Sequence, residues 1–178
     1  VIERCLDKLI NIKKIVIDNS SDVNLKLKLL KKYKNLKIIH PKYNLGFGSA
    51  NNLGILIADT EYVLCLNPDV IFEEKYVENL INIYNNYENV GMVLPQIFDH
   101  NNNYIDNHCY SSLSKISRNK INKIIHDKIK STQPNGNLST QFVTGAIFLC
   151  KRQILIKNGL FDEKIFLYYE DQDLCKRL

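Results

Sequence analysis

The sequence has no apolar run approaching the roughly eighteen residues that cross a bilayer, so no membrane-spanning helix is expected in it. It has no C-x-x-C pair, and its five cysteines are an odd number, which argues against a zinc site and against a disulfide framework. Internal repeats are missing, which removes the solenoids and propellers. No basic-then-apolar leader pattern opens the chain either, and no signal peptide is expected. Cys65 and Cys150 stand inside apolar runs and read as small core residues, in keeping with a reducing, cytosolic setting.

What remains is the composition of a globular domain. The chain has 178 residues, 45% hydrophobic and 24% charged, enough for one domain with a sizeable core. Its net charge of +5 has two readings. One is a solvated surface. The other is attraction to phosphate, carried by a nucleotide, an anionic lipid surface or a nucleic acid.

Strand and helix patterns alternate through residue 98. Ile2, Leu6, Leu9 and Ile10 predict a helix over 2–11. Ile15, Val16 and Ile17 predict a buried strand, followed by Asp18, Asn19, Ser20, Ser21 and Asp22, which can cap a helix carrying Leu25, Leu29 and Tyr33. A second strand is expected over 36–39, then a loop over 41–48 and a helix marked by Ala50, Leu53 and Ile57. A third strand spans 62–66 and stops at Asn67-Pro68-Asp69. Val77, Leu80, Ile81 and Tyr84 form the clearest helical stripe, and 90–98 reads as strand. The pattern predicts an α/β domain with a largely parallel sheet, in which ligands sit beyond the carboxyl ends of strands. Asp18 and Asp69 both lie at such ends.

Past residue 98 the signal changes. Ile116, Ile121, Ile124, Ile125 and Ile129 alternate with lysines and Arg118, either a surface helix packed on its isoleucines or a basic amphipathic helix able to lie on a membrane. A strong strand is expected over 142–150, broken at Gly145-Ala146, where small residues allow close approach. Gly159 ends a short helix, and a last helix starts near Glu170.

Three features bear on chemistry. Asn67-Pro68-Asp69 is ordinary turn chemistry, or a turn that aims Asp69 at a hard cation such as Mg²⁺ or Mn²⁺. The cluster Asp162, Glu163, Glu170, Asp171 and Asp173 is favourable charge at a helix start, or the site of a general base sheltered from water by Phe166, Tyr168 and Tyr169. Asn44-Leu45-Gly46-Phe47-Gly48-Ser49-Ala50-Asn51 resembles a dinucleotide fingerprint poorly, because Asn51 replaces the third glycine. It reads as a flexible loop whose backbone approaches a ligand ahead of a helix.

The order of these motifs is more specific than any one of them. Ile15-Val16-Ile17-Asp18-Asn19-Ser20-Ser21, then Asn44-Leu45-Gly46-Phe47-Gly48 with Asn51-Asn52-Leu53-Gly54, then Leu66-Asn67-Pro68-Asp69 resembles family 2 glycosyltransferases, especially their rhamnosyltransferase-like branch. Val143-Thr144-Gly145-Ala146, Gly159-Leu160-Phe161-Asp162-Glu163 and Phe166-Leu167-Tyr168-Tyr169-Glu170-Asp171-Gln172-Asp173-Leu174-Cys175 continue it to the end of the chain.

The resemblance implies a GT-A fold in one domain over 1–178, with a nucleotide-sugar-binding half over 1–98 and an acceptor-binding half over 99–178. It implies that the family's first strand precedes Val1 and that the chain is a fragment. Asp18 and Ser20 would meet the donor nucleotide, and Asn44, Gly46, Phe47 and Asn51 would line its pocket. Asp69 would bind Mg²⁺ or Mn²⁺, with Asn67 standing where the family's Asp-x-Asp motif has a carboxylate. Gly145 and Ala146 would border the sugar, Glu170 would contact substrate, and Asp171 would be the catalytic base of an inverting transfer. The implied partners are a nucleotide-diphosphate sugar and a saccharide or lipid-linked saccharide acceptor, in surface polysaccharide synthesis, with peripheral contact on the inner membrane face and no nucleic acid. A non-catalytic nucleotide or carbohydrate binder on the same fold is the alternative.

Overall fold

The computed structural model describes residues 1–20, 22–105, 108–109, 136–137, 140 and 142–178. The basic isoleucine-rich segment lies outside the described residues. The chain runs through α1 (Ile2–Leu6), β1 (Lys14–Ile17), α2 (Val23–Lys32), β2 (Leu36–Ile39), α3 (Phe47–Ile57) and β3 (Tyr62–Leu66). A 3-10 turn at Glu74–Tyr76 leads into α4 (Val77–Asn86). Four short strands follow, β4 (Ile97–Phe98), β5 (Tyr104–Ile105), β6 (His108–Cys109) and β7 (Phe142–Val143). The last described elements are β8 (Ile147–Lys151), α5 (Arg152–Lys157) and α6 (Glu170–Arg177).

The architecture is the expected α/β one. β1 and β2 pair in parallel, in the register Ile17↔Ile39. β3 takes an antiparallel partner, β8, from the far end of the chain, with Leu66 opposite Ile147. β4–β5 and β6–β7 are short antiparallel pairs. The parallel pattern expected through residue 98 is thus realised in β1–β2, while β3 joins the two expected halves in one ladder.

β8 is the centre of the molecule. Ile147, Phe148, Leu149 and Cys150 are each at most 1% exposed. Successive side chains of a strand point to opposite faces. Ile147 and Leu149 accordingly join a core with Cys5, Leu9, Phe72, Leu80 and Tyr84. Phe148 and Cys150 join another, with Ile55, Cys65, Leu155, Phe161 and Leu174. The helical stripe of α4 feeds the first core through Leu80 and Tyr84, four residues apart on one face. A third, smaller cluster packs Leu6 and Leu29 on Ile38. Cys65 and Cys150 are the core residues expected, and burial pushes both thiols up to about 12.

Two expectations are corrected. The first helix ends at Leu6 rather than 11, and Ile10 is exposed. Lys14 ties the turn that follows: its buried ammonium donates to the carbonyls of Leu9 at 2.6 Å, Ile10 at 3.1 Å and Ile12 at 3.1 Å. The strand expected over 90–98 is reduced to β4 and a single bridge, Val93 to Leu149. The break expected at Gly145-Ala146 within 142–150 is present, as a turn between β7 and β8.

Arginines fasten the helix ends. Arg152 donates to the carbonyls of Ile55 and Leu56, closing the last turn of α3. Arg177 bonds Asp173 one turn back on α6 and reaches the carbonyls of Asn158 and Leu160, past the end of α5. Among the described residues no helix is long and apolar enough to cross a membrane.

Candidate active site

The β3–β8 ladder continues one step beyond its last paired residues. The Asn67 amide donates to the Ala146 carbonyl at 2.9 Å. This brings the Asn67-Pro68-Asp69 turn beside the Gly145-Ala146 turn. The Gly145 amide in turn donates to Asp171 Oδ2 at 3.0 Å, and Asp171 Oδ1 accepts from the Gln172 amide at 2.7 Å. Two backbone donors therefore hold the carboxylate, and each oxygen retains a lone pair. Beneath it lies an apolar floor of Met92, Phe148, Phe161 and Leu174.

Gly145 is closely packed. A Cβ there would lie 3.0 Å from two ring carbons of Phe47 and 3.5 Å from the Asp171 Cβ. Phe47 stands edge-on to Phe161, with ring centroids 5.7 Å apart. Asn67, Ala146, Gly145, Phe47 and Asp171 thus form one connected group at the end of β3.

The glycine loop ahead of α3 is pinned rather than flexible, which corrects the expectation. Asn19 Nδ2 donates to the Gly46 carbonyl at 3.1 Å, and its Oδ1 accepts from the Leu45 amide at 3.3 Å. Asn44 Oδ1 accepts from the Gly46 amide at 2.8 Å, and the Phe47 amide donates to the Phe166 carbonyl at 3.3 Å. Gly46 has a φ of +79°, and a Cβ on it would lie 2.5 Å from the Phe166 oxygen, so no other residue fits. Asn51 spends its amide within α3, on the Phe47 carbonyl at 3.0 Å. Asn52 crosses to the other half of the chain. It is 2% exposed, donates to the Phe161 carbonyl at 2.9 Å and accepts from the Phe161 amide at 2.9 Å.

Asp18 is buried where β1 ends, and Ser20 is exposed just beyond it. Asp18 Oδ1 accepts from the Ser20 amide at 3.0 Å, and Oδ2 lies 3.3 Å from His40 Nδ1. Burial opposes the charge on Asp18, but bonding from Ser20 and His40 outweighs it and holds its pKa below the usual value.

Asp69 is exposed past Pro68. Burial, with the Asp69 charge second, raises the Cys5 thiol to about 11. Among the described residues no three or more His, Cys, Asp or Glu side chains gather as a metal cluster. A single accessible carboxylate still suits Mg²⁺ or Mn²⁺, hard cations that take oxygen ligands and fill most positions with water and phosphate.

Glu170 opens α6 and is buried, and its Oε2 has no hydrogen-bond partner among the described residues. Its Cβ lies against the Gly48 position. The aromatic shelter expected over Asp171 is absent: Phe166, Tyr168 and Tyr169 are 57%, 73% and 71% exposed. Tyr168 and Tyr169 turn outward through left-handed backbone, with φ of 68° and 70°.

The bonds made by Asn19, His40 and Asn52 are not evident from motif order. His40 follows β2 as Asp18 follows β1, so parallel pairing was the signal that could have found it.

The fold is that of the GT-A glycosyltransferases. The chain belongs to glycosyl transferase family 2, whose sequence model matches residues 1–159. It is 24% identical to the N-acetylglucosaminyl-diphospho-decaprenol L-rhamnosyltransferase of Mycobacterium tuberculosis, over 92% of this chain and 60% of that protein. It is 25% identical to rhamnosyltransferase WbbL of Escherichia coli, over 93% of this chain and 66% of that protein. The chain therefore spans about two thirds or less of these relatives. Among solved structures, the mannosyltransferase PcManGT from Pyrobaculum calidifontis, in complex with GDP-Man and Mn²⁺, superposes with a TM-score of 0.61 at 16% identity. That match covers 97% of this chain and 46% of the other.

Proposed function

We propose that this chain carries the catalytic centre of an inverting glycosyltransferase, which moves a sugar from a nucleotide-diphosphate donor to an acceptor hydroxyl. The observation that carries the reading is Asp171, a half-buried carboxylate held by the Gly145 amide at 3.0 Å and the Gln172 amide at 2.7 Å. A base must be oriented before it is useful, and these two donors orient it without consuming its lone pairs.

Residues 1–98 serve the donor. Asp18 and Ser20 receive the nucleotide, the loop from Asn44 to Asn51 borders it, and Gly145 and Ala146 leave room for the sugar. Asp69 holds Mg²⁺ or Mn²⁺, with Asn67 adding an uncharged partner for metal water or ribose. The cation supplies charge that stabilises the departing diphosphate. Asp171 takes the proton from the acceptor hydroxyl as that oxygen attacks the anomeric carbon on the face away from the diphosphate. The carbon–oxygen bond to the leaving group breaks as the new one forms, so the anomeric centre inverts. Glu170, which precedes Asp171 at the start of α6, is the neighbouring carboxylate for a substrate contact.

The similarity to rhamnosyltransferases supports a deoxyhexose or hexose donor and a lipid-linked saccharide acceptor in surface polysaccharide assembly. The test is nucleoside diphosphate release from UDP-, GDP- and dTDP-sugars with Mn²⁺ or Mg²⁺, with and without Asp171→Asn. Loss of about 10²–10⁴ in turnover with donor binding retained is expected for a general base. Binding with no turnover in either protein would instead favour a non-catalytic nucleotide-sugar binder.

A further inference from the structure

The ends of β1 and β2 place two side chains together that no motif pairs. The strands are parallel and in register at Ile17↔Ile39, and the Asp18 amide adds one more ladder bond, to the Ile39 carbonyl at 2.8 Å. Asp18 and His40 therefore leave their strands side by side. The Asp18 side chain is only 5% exposed and the His40 side chain 23%. Little water reaches such a carboxylate, so its geometry is set by its protein donors. Ser20 supplies one of them, to Oδ1 at 3.0 Å. The His40 Nδ1 atom, 3.3 Å from Oδ2, is the other. An ionised carboxylate only accepts, so the ring hydrogen stands on Nδ1. Pro41 follows directly and confines His40 to extended backbone, which keeps the ring at this level of the sheet.

We infer that His40 is a positioning residue for the donor nucleotide, holding the Asp18 carboxylate in the orientation that meets an N–H of the nucleobase. The inference rests on the proposed role of Asp18. His40 fixes Oδ2 while Ser20 fixes Oδ1, so the lone pairs left over have one direction. A base with an imino N–H, such as uracil, thymine or guanine, is the ligand chemistry that this acceptor fits. His40 acts through Asp18 and touches no reacting atom.

The variants follow from ring geometry. The amide nitrogen of asparagine occupies the place of Nδ1, whereas that of glutamine reaches the place of Nε2. Binding of UDP, GDP and dTDP, each with Mn²⁺, is measured by calorimetry on the chain and on His40→Ala, His40→Asn, His40→Gln and Asp18→Asn. For the nucleotide that binds best, His40→Ala and His40→Gln should weaken affinity about ten-fold, the low end for a hydrogen bond to a charged group. His40→Asn should stay within about three-fold. In transfer assays the loss should fall on KM with kcat unchanged, the mark of uniform binding. Thermal melts by circular dichroism check that each variant is folded. If His40→Ala unfolds, the contrast between Asn and Gln decides. The inference is overturned if Asn is as weak as Gln, if a folded His40→Ala binds like the parent, or if kcat falls at constant KM. An undiminished Asp18→Asn, or a chain that binds none of the three nucleotides, removes the reading of Asp18 itself. A weakened Asp18→Asn beside an unaffected His40→Ala removes only the role of His40.

Discussion

Replacing Asn52 by alanine should destabilise the chain by about 3 kcal/mol. The side chain is 2% exposed and makes two bonds of 2.9 Å to one peptide unit pair, the amide and carbonyl of Phe161, 109 residues away. Alanine leaves both backbone groups buried and unpartnered, and each such group costs roughly 1–3 kcal/mol. Against a typical total of about 5–15 kcal/mol, this is a large fraction. With a urea m-value of about 2 kcal/mol/M, the midpoint should fall by about 1.5 M. The chain has no tryptophan, so far-UV circular dichroism is the probe. Asn52→Asp keeps the acceptor but sets a carboxylate against the Phe161 carbonyl, and should be no more stable than the alanine variant at pH 7. A midpoint shift under about 0.5 M at unchanged m would refute the reasoning, because the Phe161 backbone would then have other partners.

Other perturbations probe the strand ends. The native pKa of Asp18 is depressed, so its charged form adds stability above its ordinary value of 3.8, and that stability is lost as pH falls through the native value. The gap in urea stability between the parent and Asp18→Asn should therefore be full at pH 7 and shrink below pH 3.8. Lys14→Met removes the ammonium that serves three carbonyls and should cost about 2–4 kcal/mol by thermal or urea unfolding. Asp69→Ala should abolish the Mn²⁺-dependent part of nucleotide affinity in calorimetry and leave the metal-free part unchanged. Equal metal dependence in parent and variant would remove Asp69 as the metal ligand.

Apolar pattern made the local elements legible. The runs at 36–39 and 62–66 became β2 and β3 with those bounds, and the stripe of Val77, Leu80, Ile81 and Tyr84 became α4. Such patterns report burial within one element, which is why they work. They do not report which element lies opposite. The pairing of β3 with β8, 81 positions apart at Leu66 and Ile147, needed the fold. Polar contacts were the least legible. The bonds of Lys14 to the turn after α1, and of the Gly145 amide to Asp171 at the expected break, are shown by no periodicity. At the candidate site the carboxylates and glycines could be named from motif order. Asn19, which holds the Gly46 loop, and Asn52, which holds the Phe161 backbone, looked like ordinary members of a polar loop and a helix.

The ladder between β3 and β8 has a consequence for how this site can change over generations. The spacing between the Asn67 turn and the Gly145 turn is fixed by backbone hydrogen bonds, Leu66 opposite Ile147 and Asn67 on Ala146. Backbone bonds are indifferent to which side chains the strands carry. Drift can exchange the core residues of β3 and β8 for others of similar volume without altering that spacing. A slip of one residue would be different in kind: it would move one turn past the other by about 3.4 Å and put every inward side chain on the opposite face. The two turns can therefore acquire new chemistry on their own side chains while keeping their distance, and a new distance would require rebuilding both cores at once.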